Sequence, residues 1–326
     1  MTGKAFSKQE ILEILRMPQE EFRNSVMRRA RAQYAEAHNV LFGAAMLGYS
    51  NVCKNACLYC GMRAPSAVPR YRISPEDVVE SVNLAKRNGF HRFFLVAGED
   101  PAYGYGNLLH IVETISAPDV YLSLACGEFE AAQYAELRAA GANEYVIKFE
   151  MSQREVFDRL NPSTNFARRM AAIEAVKACG FDLASGNIID YPGQTAEMIA
   201  EDLLLTRDLG VSWAPVVPYL PAKGTPLAEE SAVPGSLDLT QKEIAILRLM
   251  LPETRITAQQ PGPDLSKGLA TEEGNLAAIE AGANILFCDL LPEAQAKAFH
   301  VIDHRDLKGL PHLETMAQRS GMTLVI

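Results

Sequence analysis

Eight short apolar runs rich in β-formers recur along this chain, at 43–50, 91–97, 119–125, 144–149, 181–189, 211–217, 254–260 and 283–288. Each is followed by a polar turn and, in most cases, by a segment of helical period. Parallel strands need helical crossovers. Eight such units with no linker, low-complexity tract or sequence repeat between them favour a closed (β/α)8 barrel over an open doubly wound sheet. One crossover helix is legible in detail, with Ser74 as N-cap, Pro75 in the first turn, Asp77 at the capping-box position and Gly89 ending it after Asn88. Residues 7–38 read as two amphipathic helices that cap the bottom or side of the barrel, with Ile11, Leu12, Ile14 and Leu15 on the apolar face of the first. The expected division is a helical extension over 1–40 and an α/β (β/α)8 TIM barrel with a C-terminal extension over 41–326.

Active sites of this architecture gather at the C-terminal ends of the strands. Those ends carry Cys53, then Gly98, Glu99 and Asp100, Ser123 and Cys126, Glu150, the Ser185-Gly186-Asn187 stretch, Pro218-Tyr219, Gln259-Gln260 and Asp289. The strongest chemical signal is Cys53-Lys54-Asn55-Ala56-Cys57-Leu58-Tyr59-Cys60, three cysteines at CxxxCxxC spacing with an aromatic residue before the third. Three thiolates on one short loop suit three irons of a 4Fe-4S cluster and leave the fourth iron open to a small molecule. The competing reading is a zinc knuckle. Structural zinc takes four closed ligands, and here the next cysteine is Cys126 and the nearest upstream histidine His38. Cys126, Cys179 and Cys288 are scattered and read as small hydrophobes.

Composition narrows the partners. A net charge of −9 argues against a nucleic-acid surface, and residues 1–9 lack the pattern of a signal peptide. No apolar run reaches about 18 residues, the length of a membrane span. A cytoplasmic enzyme with a small substrate, no nucleic acid and no membrane is expected.

The segments Ser50–Cys53 through Cys60-Gly61, Arg70–Glu76, Ala97–Pro101, Tyr191–Thr195 and Gly224–Leu227 together resemble the biotin-synthase-like group of radical S-adenosylmethionine (SAM) enzymes, in particular its HydE-like branch. That resemblance implies one 4Fe-4S cluster on Cys53, Cys57 and Cys60, with SAM bridging cluster and barrel and giving a 5′-deoxyadenosyl radical. It also implies that Gly98 and Glu99 meet the SAM amino group, although the family's first glycine is Ala97 here. Glu150 would take the ribose hydroxyls, and Arg169, with Arg168 as the competing candidate, the carboxylate. Tyr59, Ser123 and Ile188 complete the expected cofactor-binding set.

Departures from the branch concern the substrate. Ala184 and Ser123 stand at biotin-synthase cysteine positions, which argues against sulfur insertion, and no cysteine follows Cys288 to hold an accessory cluster. Lys148-Phe149 and Gln259-Gln260 replace the branch's usual pairs on strands 4 and 7. Lys148, Tyr219, Gln259, Gln260 and Asp289 are therefore the expected substrate-side residues. The resemblance implies hydrogenase active-site assembly or a related metallocofactor step on a small molecule or metal complex, with an electron donor such as flavodoxin or ferredoxin. The alternative is a carbon-skeleton rearrangement of an amino acid, as in methylornithine synthases, for which Lys148 or Arg255 would bind a carboxylate. A non-catalytic iron–sulfur or zinc scaffold is the reading from another class.

Overall fold

The structure, a computed structural model, describes residues 3–303 and 308–326. Every one of the eight expected runs coincides with or overlaps a strand: β1 (Val40–Ser50), β2 (Arg92–Ala97), β3 (Tyr121–Ala125), β4 (Glu144–Val146), β5 (Asp182–Ala184), β6 (Trp213–Ala214), β7 (Arg255–Ile256) and β8 (Ile285–Asp289). They pair in parallel in chain order, with β8 returning to β1. The ring closes between β7 and β8, where Asn284 N–H donates to the Ile256 carbonyl at 2.9 Å and Ala258 N–H donates to the Ile285 carbonyl at 2.8 Å. A last strand, β9 (Thr323–Val325), pairs with the start of β1. Above β5 and β6 the chain breaks and re-pairs as a two-residue ladder, Ile188–Ile189 against Val217–Pro218.

Strand alternation divides the apolar residues between two cores. Phe93, Leu95, Leu122 and Leu124 point outward into the layer beneath the helices. Phe94, Trp213, Ile285 and Phe287 point inward and form a separate cluster inside the barrel. The lower end of the barrel is polar. Glu144 accepts from Ser123 Oγ at 2.7 Å and Ser212 Oγ at 2.6 Å, and it pairs with the buried Arg255 guanidinium.

The helix Pro75–Arg87 starts as its sequence requires, with Ser74 Oγ accepting from Asp77 N–H at 3.2 Å, and Gly89 follows it at φ 90°. The first N-terminal helix, Lys8–Arg16, has a capping box of Ser7 and Glu10 and buries Ile11, Leu12, Ile14 and Leu15. The second runs Gln19–Phe22, passes through a π turn at Arg23–Met27 and continues over Arg28–Ala37. The first packs on the outer helices Ala196–Leu209 and Leu237–Met250, and the second on Leu237–Met250 and Glu272–Glu280, so they lie along the side of the barrel. Among the described residues no helix is long and apolar enough to cross a membrane.

Candidate active site

The cysteine loop follows β1 directly and is strapped down from several directions. Arg70 donates to four carbonyls around it: Asn51 at 2.6 Å, Met62 at 2.8 Å, Arg63 at 2.6 Å and Ser66 at 3.2 Å. Asp100 at the end of β2 accepts from Ser50 Oγ at 2.7 Å and bidentately from Arg72 at 2.6 and 2.8 Å. Leu58 N–H donates to the Leu160 carbonyl, and Leu227 N–H to the Leu58 carbonyl. Gly98 admits the loop to the barrel mouth, because a Cβ there would stand 2.3 Å from the Val52 carbonyl oxygen. The motifs at 70–76, 98–101 and 224–227 thus fix the loop's shape.

The Cys57 and Cys60 thiols share one electrostatic environment. Burial, followed by the Cys60 and Cys53 thiols, pushes Cys57 up to about 12, and burial with Cys53 pushes Cys60 up to about 11. Thiolates crowded this way are costly to ionise alone. Iron cations reverse that cost, since a coordinating thiol is deprotonated outright, so the donor set fits a cluster.

Around the loop, the strand ends carry a ring of acids, each held by a cation. Glu99 takes Lys54 Nζ at 2.6 Å and Asn55 Nδ2 at 2.8 Å. Glu128 takes Arg169 Nε at 2.8 Å, with Arg168 at 3.4 Å. Lys148 Nζ lies 3.0 Å from Glu150 Oε2. The contact is off the line of a hydrogen bond, and that oxygen is buried without a hydrogen-bond partner. Glu150 also holds a left-handed backbone at φ 60°, a strain of about 1–3 kcal/mol for a non-glycine residue that concentrates at functional positions. Its N–H donates to the Gly186 carbonyl and its own carbonyl accepts from Ile188 N–H. An under-satisfied carboxylate beside the mouth fits a ligand diol, the group expected of the SAM ribose.

Below this ring a cavity of about 470 Å³ runs from Cys53 and Cys60 into the barrel. Gly98, Glu99, Glu150, Arg169, Lys148 and Gln259 line it, and Phe94, Trp213 and Phe287 form its apolar depth. Burial separates the two arginines: the Arg169 side chain is 14% exposed and faces the cavity, whereas Arg168 is 63% exposed.

Several expected residues lie elsewhere. Alternation along a strand turns neighbours to opposite sides, so Lys148 and Gln259 face the cavity while Phe149 is in the core and Gln260 is not in the wall. Gln260 Nε2 donates instead to the carbonyls of Val216 and Thr257. Tyr219 packs into a satellite core with Ile188 and Leu227, and its hydroxyl donates to the Ser231 carbonyl. Asp289 accepts from Leu291 N–H at 3.0 Å in its own loop. Ser123 belongs to the Glu144 network low in the barrel, as does Arg255, which removes Arg255 as a carboxylate binder. Tyr59 lies beneath the loop with its hydroxyl on Asn161 at 2.8 Å.

Glu128 contributes to the site's geometry without having been singled out in the sequence, and Arg70 entered there only as part of a matching segment and not as a site residue. The signal available for Glu128 was Gly127, which at φ 98° leaves room for the Glu99 side chain only 2.3 Å from where a Cβ would stand.

Residues 47–206 match the Radical SAM superfamily. The chain is 30% identical over 258 residues to the [FeFe] hydrogenase maturase subunit HydE of Thermotoga maritima, covering 79% of this chain and 72% of that protein. The chain belongs to the radical SAM superfamily. A second relative, the 3-methylornithine synthase of Methanosarcina acetivorans, is 29% identical over 287 residues, 87% of this chain and 78% of that protein. Among solved structures, methylornithine synthase (PylB) superposes with a TM-score of 0.86 at 24% identity, covering 99% of this chain and 95% of that one. The FeFe-hydrogenase maturase HydG from Carboxydothermus hydrogenoformans gives 0.80 at 21%, covering 99% and 76%. These two likenesses show the barrel. Radical SAM enzymes work with a 4Fe-4S cluster and SAM, and this chain is such an enzyme, related to HydE, methylornithine synthase and biotin synthase.

Proposed function

We propose that Cys53, Cys57 and Cys60 hold the cluster, that Gly98, Glu99, Glu150 and Arg169 hold SAM, and that the substrate is a small molecule bound in the barrel beneath them. The observation that carries this reading is the single cavity running from the cysteine loop past Glu150 and Arg169 to the barrel interior. Bound together and reduced by a donor of flavodoxin or ferredoxin type, cluster and SAM supply a 5′-deoxyadenosyl radical. The chain's part is to orient and to exclude water. The Arg169 fork suits a carboxylate, Glu150 suits a vicinal diol, and the apolar wall keeps the depth dry.

For the reaction itself we favour a step in metallocofactor assembly of the HydE kind over an amino-acid rearrangement of the methylornithine-synthase kind. The supporting observation is that all three carboxylates of the cavity wall, Glu99, Glu128 and Glu150, already face cations. A diamino acid would bring a side-chain ammonium that finds no unpaired acid there.

Anaerobically reconstituted protein should carry about four irons and four sulfides per chain and cleave SAM under reduction. Replacing all three loop cysteines with alanine should abolish both, and a triple variant that kept its iron would refute the ligand assignment. Activity in place of HydE in a hydrogenase maturation mixture supports the metallocofactor reading. Inactivity there, with SAM cleavage stimulated by a diamino acid, would replace it.

A further inference from the structure

Below its mouth the cavity has a chemical polarity of its own. Three ring systems, Phe94, Trp213 and Phe287, stand with centroids 5.1, 5.4 and 5.7 Å apart, the first pair edge to face. The polar groups beside them are hydrogen-bond donors. Gln259 spends Oε1 on Phe287 N–H at 3.2 Å, which leaves its NH2 for the cavity. Thr257 spends a lone pair on Trp213 Nε1 at 3.0 Å, which leaves its O–H. Lys148 contributes an ammonium that is 17% exposed. Each of the wall's three carboxylates faces a cation, Glu99 with Lys54, Glu128 with Arg169 and Glu150 with Lys148, so none is left over for a cationic ligand.

We infer that the substrate is a small anion with a flat apolar body and no cationic end, its anionic head met by Lys148 Nζ and the Gln259 amide and its body seated against Phe94, Trp213 and Phe287. Each half follows from a cost. A buried cation without a partner is strongly disfavoured, and every acid on the cavity wall already faces a cation. An acceptor-rich head satisfies the free Gln259 NH2 and Thr257 O–H and gives the Lys148 ammonium, whose partner Glu150 lies off the hydrogen-bond line, a second anionic neighbour. An aromatic or unsaturated body of this size matches the ring cluster. The inference rests on the reading that the substrate enters the barrel beneath the cysteine loop, and it narrows that reading to a charge type and a shape.

Trp213 is the chain's only tryptophan, and it stands in the cavity wall. Its emission therefore reports occupancy without any turnover. Cluster-loaded protein would be titrated with 3-phenylpropanoate, 3-phenylpropan-1-ol, 3-phenylpropylamine and L-lysine. The acid should change Trp213 emission saturably and bind at least tenfold more tightly than the alcohol, and the amine and lysine should bind more weakly than either. In Lys148→Met the preference of acid over alcohol should fall to within about twofold, and Lys148→Arg should restore most of it. A misfolded variant would lose the alcohol as well, so retention of alcohol binding is the control. The inference is overturned if the amine or lysine binds as tightly as the acid, if acid and alcohol bind alike in the unaltered protein, or if no ligand of the set perturbs Trp213. Failure of the preceding functional reading looks different: SAM is then not cleaved, whatever the titration gives.

Discussion

Glu150 shows how a single position sets backbone stability against ligand chemistry. It holds φ at 60°, where glycine is at ease and a residue with a Cβ is strained. The strain turns its carboxylate toward the mouth, where Oε2 lacks a hydrogen-bond partner. Glu150→Gly should therefore raise stability, by about 1 kcal/mol from the relieved conformation, while SAM affinity falls about tenfold or more through loss of a charged hydrogen-bonding group. Urea denaturation of the apoprotein and equilibrium SAM binding measure the two effects separately. A variant less stable than the parent would show that the left-handed turn is not strained, and unchanged SAM affinity would release Glu150 from the ribose role. Gly98 is the complementary case, a residue whose use is the absence of a side chain, since a Cβ would meet the Val52 carbonyl.

At the scale of elements, the helices Ala196–Leu209 and Leu237–Met250 meet the broken end of β5 through a buried acid cluster. Glu243, fully buried, accepts from Asn187 Nδ2 at 3.3 Å, while its Oε1 and Asn187 Oδ1 have no partner. Asp202 accepts from Ser152 N–H at 2.7 Å and Gln194 Nε2 at 2.9 Å. Burial, reinforced by Asp202, pushes Glu243 up to about 8, with Lys148 acting in the opposite sense, and burial pushes Asp202 up to about 7. Both acids bind their protons more tightly folded than unfolded. Their stabilising contribution is whole below the ordinary carboxylate range near 4.5 and is lost as pH rises through about 7 and then 8. Glu243→Gln, a neutral isostere with an N–H to offer Asn187, should remove the upper part of that loss, so melting temperature declines less between pH 6 and 9 than in the parent. Parallel declines in parent and variant would mean that Glu243 is already ionised in the folded chain. Asn187 pairs with Glu150 across a β-bridge, which connects this packing to the mouth of the site.

The whole barrel has two unlike ends, and the lower one is held by charge. Arg255 and Glu144 pair with side chains 9% and 2% exposed, and Ser123 and Ser212 complete the acceptor set of the glutamate. Removing one partner of such a pair leaves the other desolvated, so Glu144→Ala should cost about 3–5 kcal/mol. The double replacement Glu144→Leu with Arg255→Met should recover much of it, because a well-packed apolar pair can equal a buried ion pair. Denaturant midpoints of the three variants decide this, and a double variant as unstable as Glu144→Ala would assign the network a role beyond charge pairing. The candidate site lies at the upper end and the buried ion pair at the lower, the division expected of this architecture.

Much of this was open to reading in the chain. The eight β-runs marked the eight strands of the ring, though not the last strand or the upper two-strand ladder, because apolar periodicity and turn residues act locally and any fold must accommodate them. Ser74, Pro75 and Gly89 marked a helix for the same reason, and three cysteines on one loop pointed, by their spacing, to an iron–sulfur cluster. What the chain could not declare was direction and distance. Lys148 with Gln259 face the cavity and Phe149 with Gln260 do not, which depends on where each strand begins its alternation. Tyr219 and Asp289 sit at strand ends, yet packing turns one into a satellite core and a loop hydrogen bond occupies the other. Arg255 resembled a ligand group until the closed ring set it against Glu144, 111 positions away in sequence. Glu243, fifty-six positions from Asn187, became part of the site's support only through tertiary contact. Local sequence specifies which elements form and which chemistry they carry; the closure of the barrel specifies which of those groups meet.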